Sequence, residues 1–486
     1  MSKLLKLYLF VAVLSLFVIS CGDNDPAVDG DVDGDQDATE EDAEAVEDGD
    51  VDGDKVDGDE ESDTVDGDAD GEIEEDIEEI LACVGEIEPR ELIISEDLSF
   101  DLGPYLMHPR PDAIVVMWRT LLETNGSVKY GKGDALDMEV KHDDNLLVHE
   151  VELTNLEPNT RYSYKVQSGA TTSDVHHFYT APENNTPIRV AAWGDNHSGS
   201  AFPDVLDSIA GFKPHFLLGL GDNVNDGREY DQWKEMLFAP ARKMFHELPF
   251  YGAIGNHERN GESYYNLYSY PDADKDDERT ESESYYSFRY GNAFFLVINT
   301  TLIPDFNVLA LAETPMQKFI LKAMASEEAQ SATWRFALGH YPGYSEGWSD
   351  GGCHYDGEIV IQEWLMAKMK EYKFHAYMSG HMHGYERGMF DGVAQIISGG
   401  GGGSLDKKCV DFENVTVEHY VHHHLIMDLG CDTARIGAWD LEGQEFDWIV
   451  LDADNYGQFV DEGPMANLPP PEINSDSDLL DGDSSK

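Results

Sequence analysis

The sequence predicts a small β-sandwich followed by a larger α/β sandwich, with polar, unfolded flanks at both ends. Three observations predict this. Residues 85–182 hold short β-type runs separated by turn signals, whereas residues 186–453 alternate apolar β runs with amphipathic stretches. With 486 residues and 41% hydrophobic content, the chain can bury more than one core. The two ends carry too little apolar surface to offset the conformational entropy of ordering them.

At the N-terminus, Lys3 and Lys6 precede an apolar run from Leu7 to Ile19, the layout of an export signal over 1–20 and too short to span a bilayer comfortably. The run closes on Val18-Ile19-Ser20-Cys21. This resembles the lipobox of bacterial lipoproteins, which implies lipidation of Cys21 and an exported chain held by its lipid on the periplasmic or cell-surface side of a bacterial membrane. From Gly22 to Ile80 about thirty acidic residues stand against the single Lys55, in near repeats such as DGDVDGDQD. Charge repulsion predicts an extended tether over 21–84. Asp-x-Asp-x-Asp-Gly strings can also wrap Ca²⁺, because hard cations gather carboxylate and carbonyl oxygens. The formal net charge of −65 excludes a basic footprint for nucleic acid, and no such partner is expected. Residues 466–486 read as a polar, disordered tail.

Besides Cys21 the chain has Cys83, Cys353, Cys409 and Cys431. An even number in an oxidising compartment suggests two disulfides with three possible connectivities. Cys409 with Cys431 is the first expected pair, since both flank predicted neighbouring strands.

In the first domain, Ala113 to Arg119 reads as a core strand anchored by Trp118. Leu147, Val151 and Leu153 fall on one face of a second strand, and Leu156 to Thr160 turns the chain into the strand Tyr162 to Val166. The string LTNLEPNTRYSYKV resembles the turn and strand near the end of a fibronectin type III domain. No catalytic cluster lies here, so packing and spacing are its expected roles.

In the second domain, β runs are predicted at Ile188 to Trp193, Phe216 to Leu220, Phe294 to Ile298, Phe336 to Leu338 and Ala376 to Met378. Helices are predicted over Pro315 to Ala325 and Glu358 to Tyr372, the second with Ile359, Trp364, Met366 and Met369 on its apolar stripe. Val421 to Val450 reads as antiparallel strands closing a sheet. Strand, loop and helix in repetition indicate an α/β sandwich.

Most of these β runs stop at a polar cluster. The first ends in Gly194-Asp195-Asn196-His197 and the next in Gly221-Asp222. Ala253-Ile254 runs into Gly255-Asn256-His257-Glu258, Leu338 leads to Gly339-His340, and Ser379 leads to GHMHGYER with His381 and His383. Side chains at strand ends on Gly-flanked loops are held by a rigid sheet yet open to a substrate.

The ordered set D-x-H, GD, GNHE, GH and GHxH resembles the calcineurin-like metallophosphoesterase superfamily, whose domain carries two central mixed sheets. The resemblance implies a phosphoester hydrolase with two transition-metal ions, Fe, Mn or Zn, and a metal-bound hydroxide attacking phosphorus in line. It implies Asp195, His197, Asp222 and His383 at one metal, and Asp222, Asn256, His340 and His381 at the other, with Asp222 bridging. His257 would assist the leaving group, and Asp226 would orient His257. A sandwich ahead of GHMHGYER resembles the purple acid phosphatases in particular. One departure matters: that group has Tyr three residues after the bridging Asp and lacks the His of D-x-H, whereas this chain has Asn225 and His197. The coloured tyrosinate is therefore absent from the expected centre.

Four further features were open to a role. His354 could contact the phosphate from the rim of the site, and Arg387 could supply positive charge or brace its loop through a carboxylate. Gly399 to Gly403 lacks the Lys-Ser/Thr ending of a P-loop and suggests a flexible turn. His422, His423 and His424 point to alternating faces if they lie on a strand, and so cannot chelate together. The expected activity is an acid-phosphatase-like phosphomonoesterase. A phosphodiesterase or nucleotide hydrolase on the same site is the nearest alternative, and a Ca²⁺-binding surface or adhesion lipoprotein is the alternative of another class.

Overall fold

Period-two alternation along Ala113 to Trp118 decides how the first domain meets the second. Ile114, Val116 and Trp118 point into one buried cluster, and Val115 and Met117 into another shared with the second domain. A strand buried on both faces reads as an unbroken apolar run, as this one does. A computed structural model describes residues 83, 85–197, 199–271, 282–305, 314–349 and 352–463, all within one compact unit. The export signal with Cys21, the acidic tether up to Cys83 and the C-terminal tail lie outside the described residues.

The first domain is a six-stranded antiparallel sheet. Its long strand Ala113–Lys132 pairs with Leu102–Met107 along its first half and with Arg161–Ser168 along its second, while Met138–Thr154 follows it through both. Val116 from the first half and Val128 from the second meet in the same cluster, so the sheet closes over on itself. Val151 and Leu153 are buried as expected, but Leu147 on the same parity is 37% exposed, beyond the reach of that cluster. The segment before Leu102 is not part of the sheet. It runs against the second domain, where Arg90 donates to the Tyr290 hydroxyl at 2.8 Å.

The second domain is built on two seven-stranded mixed sheets. In one, Ile188–Trp193, Phe216–Gly219 and Phe250–Gly252 run parallel, and the antiparallel strands His423–Leu429, Thr433–Asp440, Glu445–Asp452 and Asp461–Gly463 extend it. The last strand carries the fold past residue 453. In the other, Ala293–Val297, Trp334–Leu338, Ala376–Ser379 and Val393–Ser398 run parallel, flanked by Tyr286–Tyr290, Tyr385–Phe390 and Val415–His419.

Alternation again assigns the faces. Phe295, Phe336, Leu338 and Met378 turn inward to meet Val190, Leu218 and Met427 of the first sheet, forming the largest core. Phe294, Leu296, Ala337 and Tyr377 turn outward against two helical stretches. Pro315–Met324 starts with a capping box, Thr314 accepting from Gln317 N and Gln317 reaching back to Thr314 N. In residues 359–371, Met366 and Met369 are buried and Trp364 packs beside them, whereas Ile359 is 56% exposed at the helix start.

The disulfides are Cys83–Cys431 and Cys353–Cys409, not Cys409–Cys431. Cys431 sits in the hairpin turn after His423–Leu429, and Cys409 in the loop before Val415–His419, which belongs to the other sheet. The N-terminal segment brings Cys83 to the hairpin, with Cα atoms 5.2 Å apart.

Candidate metal centre

The carboxyl ends of the parallel strands of both sheets converge on one place. Asp195 follows Ile188–Trp193, Asp222 follows Phe216–Gly219, Asn256 follows Phe250–Gly252, His340 follows Trp334–Leu338, and His381 and His383 follow Ala376–Ser379. Three of these residues, Asp195, Asp222 and His381, hold positive φ of 59°, 54° and 73°. Such backbone costs about 1–3 kcal/mol per residue and persists only where the surroundings fix it, typically at functional sites. Gly221, with φ of 92°, is required by its neighbour, because a Cβ there would lie 2.6 Å from His340 Nδ1.

The seven side chains form two linked groups. His383 Nε2 lies 3.3 Å from His197 Nε2 and 3.5 Å from Asp195 Oδ1. His340 Nε2 lies 3.1 Å from Asp222 Oδ2, 3.1 Å from Asn256 Oδ1 and 3.2 Å from His381 Nδ1. Asp222 joins the two, since its ligand atom also lies within 4.8 Å of those of His197 and His257. Its Oδ1 accepts from His257 N at 2.8 Å.

Oxygen acceptors aim the rings inward. His340 Nδ1 donates to Leu220 O at 2.9 Å and His383 Nδ1 to Ser404 O at 2.6 Å. A carbonyl oxygen can only accept, so these Nδ1 atoms carry the proton and each Nε2 presents its lone pair to the cluster. The electrostatics favour positive charge there. Burial alone would lower the pKa of His340, yet Asp222 beside it raises it to about 10. Burial likewise opposes Asp195 at His383, and the carboxylate wins, lifting it to about 9. His381, buried beside His340, is pushed down instead.

These features fit metal ions. Asp195 Oδ1 is buried without a hydrogen-bond partner, and the facing ring nitrogens, 3.3 and 3.2 Å apart, need a cation or a shared proton between them to offset lone-pair repulsion. The donor set of imidazole, carboxylate and amide, with no thiolate, suits Fe, Mn or Zn.

Comparison with known proteins agrees with this geometry. Residues 171–385 match the calcineurin-like phosphoesterase family, and residues 105–180 match the N-terminal domain of purple acid phosphatases. The chain carries a calcineurin-like phosphoesterase domain behind a purple acid phosphatase N-terminal domain. As a phosphoesterase it is a phosphoric ester hydrolase by class. It is 24% identical to purple acid phosphatase 23 of Arabidopsis thaliana over 353 residues, covering 64% of this chain and 71% of that protein. It is 22% identical to phosphoenolpyruvate phosphatase of Allium cepa over 308 residues, covering 57% and 60% of the two chains. Among solved structures, purple acid phosphatase PPD1 from Lupinus luteus seeds superposes with a TM-score of 0.62 at 20% identity, covering 73% of this chain and 74% of that one. PhoD superposes with a TM-score of 0.57 at 13% identity, covering 74% and 92%. These structural likenesses establish the fold.

Two expected roles in the phosphoesterase need correction, and for Arg387 the bracing alternative holds over substrate contact. Asp226 does not reach His257. Its carboxylate pairs with the nearby Arg228 and Arg259, and His257 Nδ1 instead donates to Asn225 O at 2.7 Å. Arg387 is not open to a substrate: its side chain is fully buried, forked onto Asp447 at 2.6 and 3.0 Å and bonded to Glu462 at 2.6 Å. It braces the two sheets against each other. Gly399 to Gly403 is buried rather than flexible, with Gly401 N and Gly403 N donating to Gly194 O and Asp195 O, so these glycines allow close approach to the Asp195 loop. His354 lies exposed near the rim, its ring 6.0 Å from Trp348. His423 and His424 turn to opposite faces, bonding Ser398 Oγ and Ser208 Oγ.

Sequence reasoning missed two groups. Glu258, fully buried, accepts from Asp222 N, Asn223 N and Gly255 N at 3.0, 2.7 and 2.7 Å, tying two ligand loops together. Burial and the Asp222 charge raise its pKa to about 7. An acid directly after GNH was the available signal. The second group is an aromatic ring around His381, with Tyr341, Tyr355 and Trp348 at 4.5, 4.9 and 5.0 Å. Their loop is stapled by Cys353–Cys409, and Glu386 accepts from Glu346 N and Gly347 N.

Proposed function

We propose that this phosphoesterase works as a dinuclear-metal hydrolase and acts as a phosphomonoesterase. The observation that carries the reading is the pair of ring-nitrogen contacts, His197 Nε2 to His383 Nε2 and His340 Nε2 to His381 Nδ1, flanking the common carboxylate of Asp222. Asp195, His197, Asp222 and His383 would hold one ion, and Asp222, Asn256, His340 and His381 the other. Bound there, Fe, Mn or Zn ions supply Lewis acidity for the phosphoryl oxygens and lower the pKa of water at the centre.

The chain's own groups do the rest. The carbonyl of Asn225 fixes His257, and its ring stacks 4.4 Å from that of His197 at the edge of the centre. When doubly protonated, His257 gives its Nε2 proton to the departing oxygen. The aromatic side chains around His381 restrict water on that flank, which strengthens charge interactions within. Position 225 offers no phenolate, so the iron-loaded protein is expected without a tyrosinate charge-transfer band.

The N-terminal features support a location. We propose that Cys21 carries a lipid, and that the acidic stretch spaces the domains 85–182 and 186–463 from the periplasmic or cell-surface side of a bacterial membrane. Fatty-acid labelling of the full chain and of Cys21→Ser tests this, with label lost from the variant. For the activity, an aryl phosphate and an aryl phosphodiester are assayed before chelation, after it, and after metal add-back. Monoester cleavage that follows the metal supports the proposal; cleavage of the diester alone would reassign it as a diesterase.

A further inference from the structure

We propose that Asn225 is a positioning residue whose side chain sets the metal affinity of the His197 side of the centre. The inference rests on the metal-centre reading above. Asn225 sits in the loop after Phe216–Gly219 and touches two imidazoles with two different groups. Its side-chain Oδ1 lies 3.0 Å from His197 Nδ1, and its main-chain O lies 2.7 Å from His257 Nδ1. The two rings stack, 4.4 Å apart and 23° from parallel.

The chemistry of the amide makes the side chain decisive. With Oδ1 facing the ring, His197 Nδ1 must carry the proton, and Nε2 keeps its lone pair toward His383 and Asp195. With the amide reversed, its NH₂ would donate to Nδ1 and drive the ring proton onto Nε2, in the place a cation would take. Without the side chain, nothing in that contact selects between the two tautomers. His257 escapes this choice, because a main-chain carbonyl is present whatever residue stands at 225. One residue therefore controls a candidate ligand through its side chain and a candidate proton donor through its backbone, and substitution separates the two.

The test is titration of metal-free full-length protein with Zn²⁺ or Mn²⁺, followed by calorimetry and by elemental analysis after desalting. Wild type should take up two ions. Asn225→Ala should weaken one of the two binding steps by about 10–100-fold, the range for losing a group that orients a ligand, and leave the other step in place. Asn225→Asp, which keeps an oxygen acceptor, should restore the weakened step. Two unchanged steps in Asn225→Ala would overturn the proposal, as would equal weakening of both, which would mark a general structural role. Failure of wild type to bind any metal would overturn the metal-centre reading itself and this inference with it.

Discussion

Glu258 and Asp222 are bound main chain to side chain, with the Glu258 carboxylate accepting from Asp222 N at 3.0 Å while the Asp222 carboxylate faces His340. The same carboxylate holds Asn223 N and Gly255 N. A residue that touches no candidate metal position thus fixes the backbone of the residue common to both. Glu258→Ala would leave three buried N–H groups without acceptors, each costing about 1–3 kcal/mol. The expected outcome is a lower melting temperature together with weaker uptake at both metal positions, read by calorimetry. An unchanged melt with normal metal uptake would show that water replaces the carboxylate fully.

His257 is expected to matter for turnover more than for metal retention. His257→Ala removes the proton donor but none of the seven candidate ligands, so kcat should fall by about 10²–10⁴-fold. Metal content per chain should stay near the wild-type value. A substrate whose leaving group is already a weak base, such as a nitrophenolate, should be hurt least. Equal losses for weakly and strongly basic leaving groups would count against proton donation.

The Cys353–Cys409 bond spans 56 residues, and its Cys353 end fastens the loop that carries Trp348, His354 and Tyr355. By chain entropy alone a closure of this length is worth about 4 kcal/mol. Replacing both cysteines by serine should lower the melting temperature and raise KM, since Trp348 and Tyr355 would lose part of their hold beside His381. Metal content should not change, because His381 and His383, the candidate ligands inside the closed segment, are held at the end of Ala376–Ser379 by the sheet rather than by the disulfide. A change in stability with KM untouched would separate the loop from substrate binding.

Where the two domains meet, His246 is buried with its ring stacked 4.2 Å from His176 and with Nδ1 on Pro104 O. Burial lowers its pKa from 6.5 to about 3. In the folded state it therefore binds fewer protons than in the unfolded state between these values. Its contribution to stability is fully present above pH 6.5 and is lost as the pH falls toward 3, by at most about 1.4 kcal/mol per pH unit. Denaturant melts of wild type and His246→Asn across pH 4–8 check this. Their difference should favour wild type most at high pH and shrink on acidification; a constant difference would refute the burial argument.

Much of the fold was legible because periodicity reports burial. The runs at Ile188, Phe216, Phe294, Phe336 and Ala376 became strands, since a strand between two cores must be apolar on both faces. The ligand cluster was legible for a different reason: each motif sits at a strand end, and parallel strands of two facing sheets bring their ends together. What failed were contacts between residues distant in sequence. Cys431 meets Cys83 across 348 positions, and Arg387 meets Asp447 across 60, pairings that no local pattern encodes. Asp226 failed by geometry at short range, because Arg228 two residues away takes its carboxylate before it can turn to His257. Glu258 was visible but unread, since nothing in a string of letters says that a carboxylate will face three backbone N–H groups.

The measurement that tests the central claim most directly is metal content by elemental analysis of the purified full-length protein and of Asp222→Asn, run beside hydrolysis of an aryl phosphate. The account predicts about two transition-metal ions per wild-type chain, activity that disappears with chelation and returns with metal, and weakened binding at both positions in the variant. Wild-type hydrolysis that persists in metal-free protein, or an Asp222→Asn variant with full metal content and full activity, would contradict it.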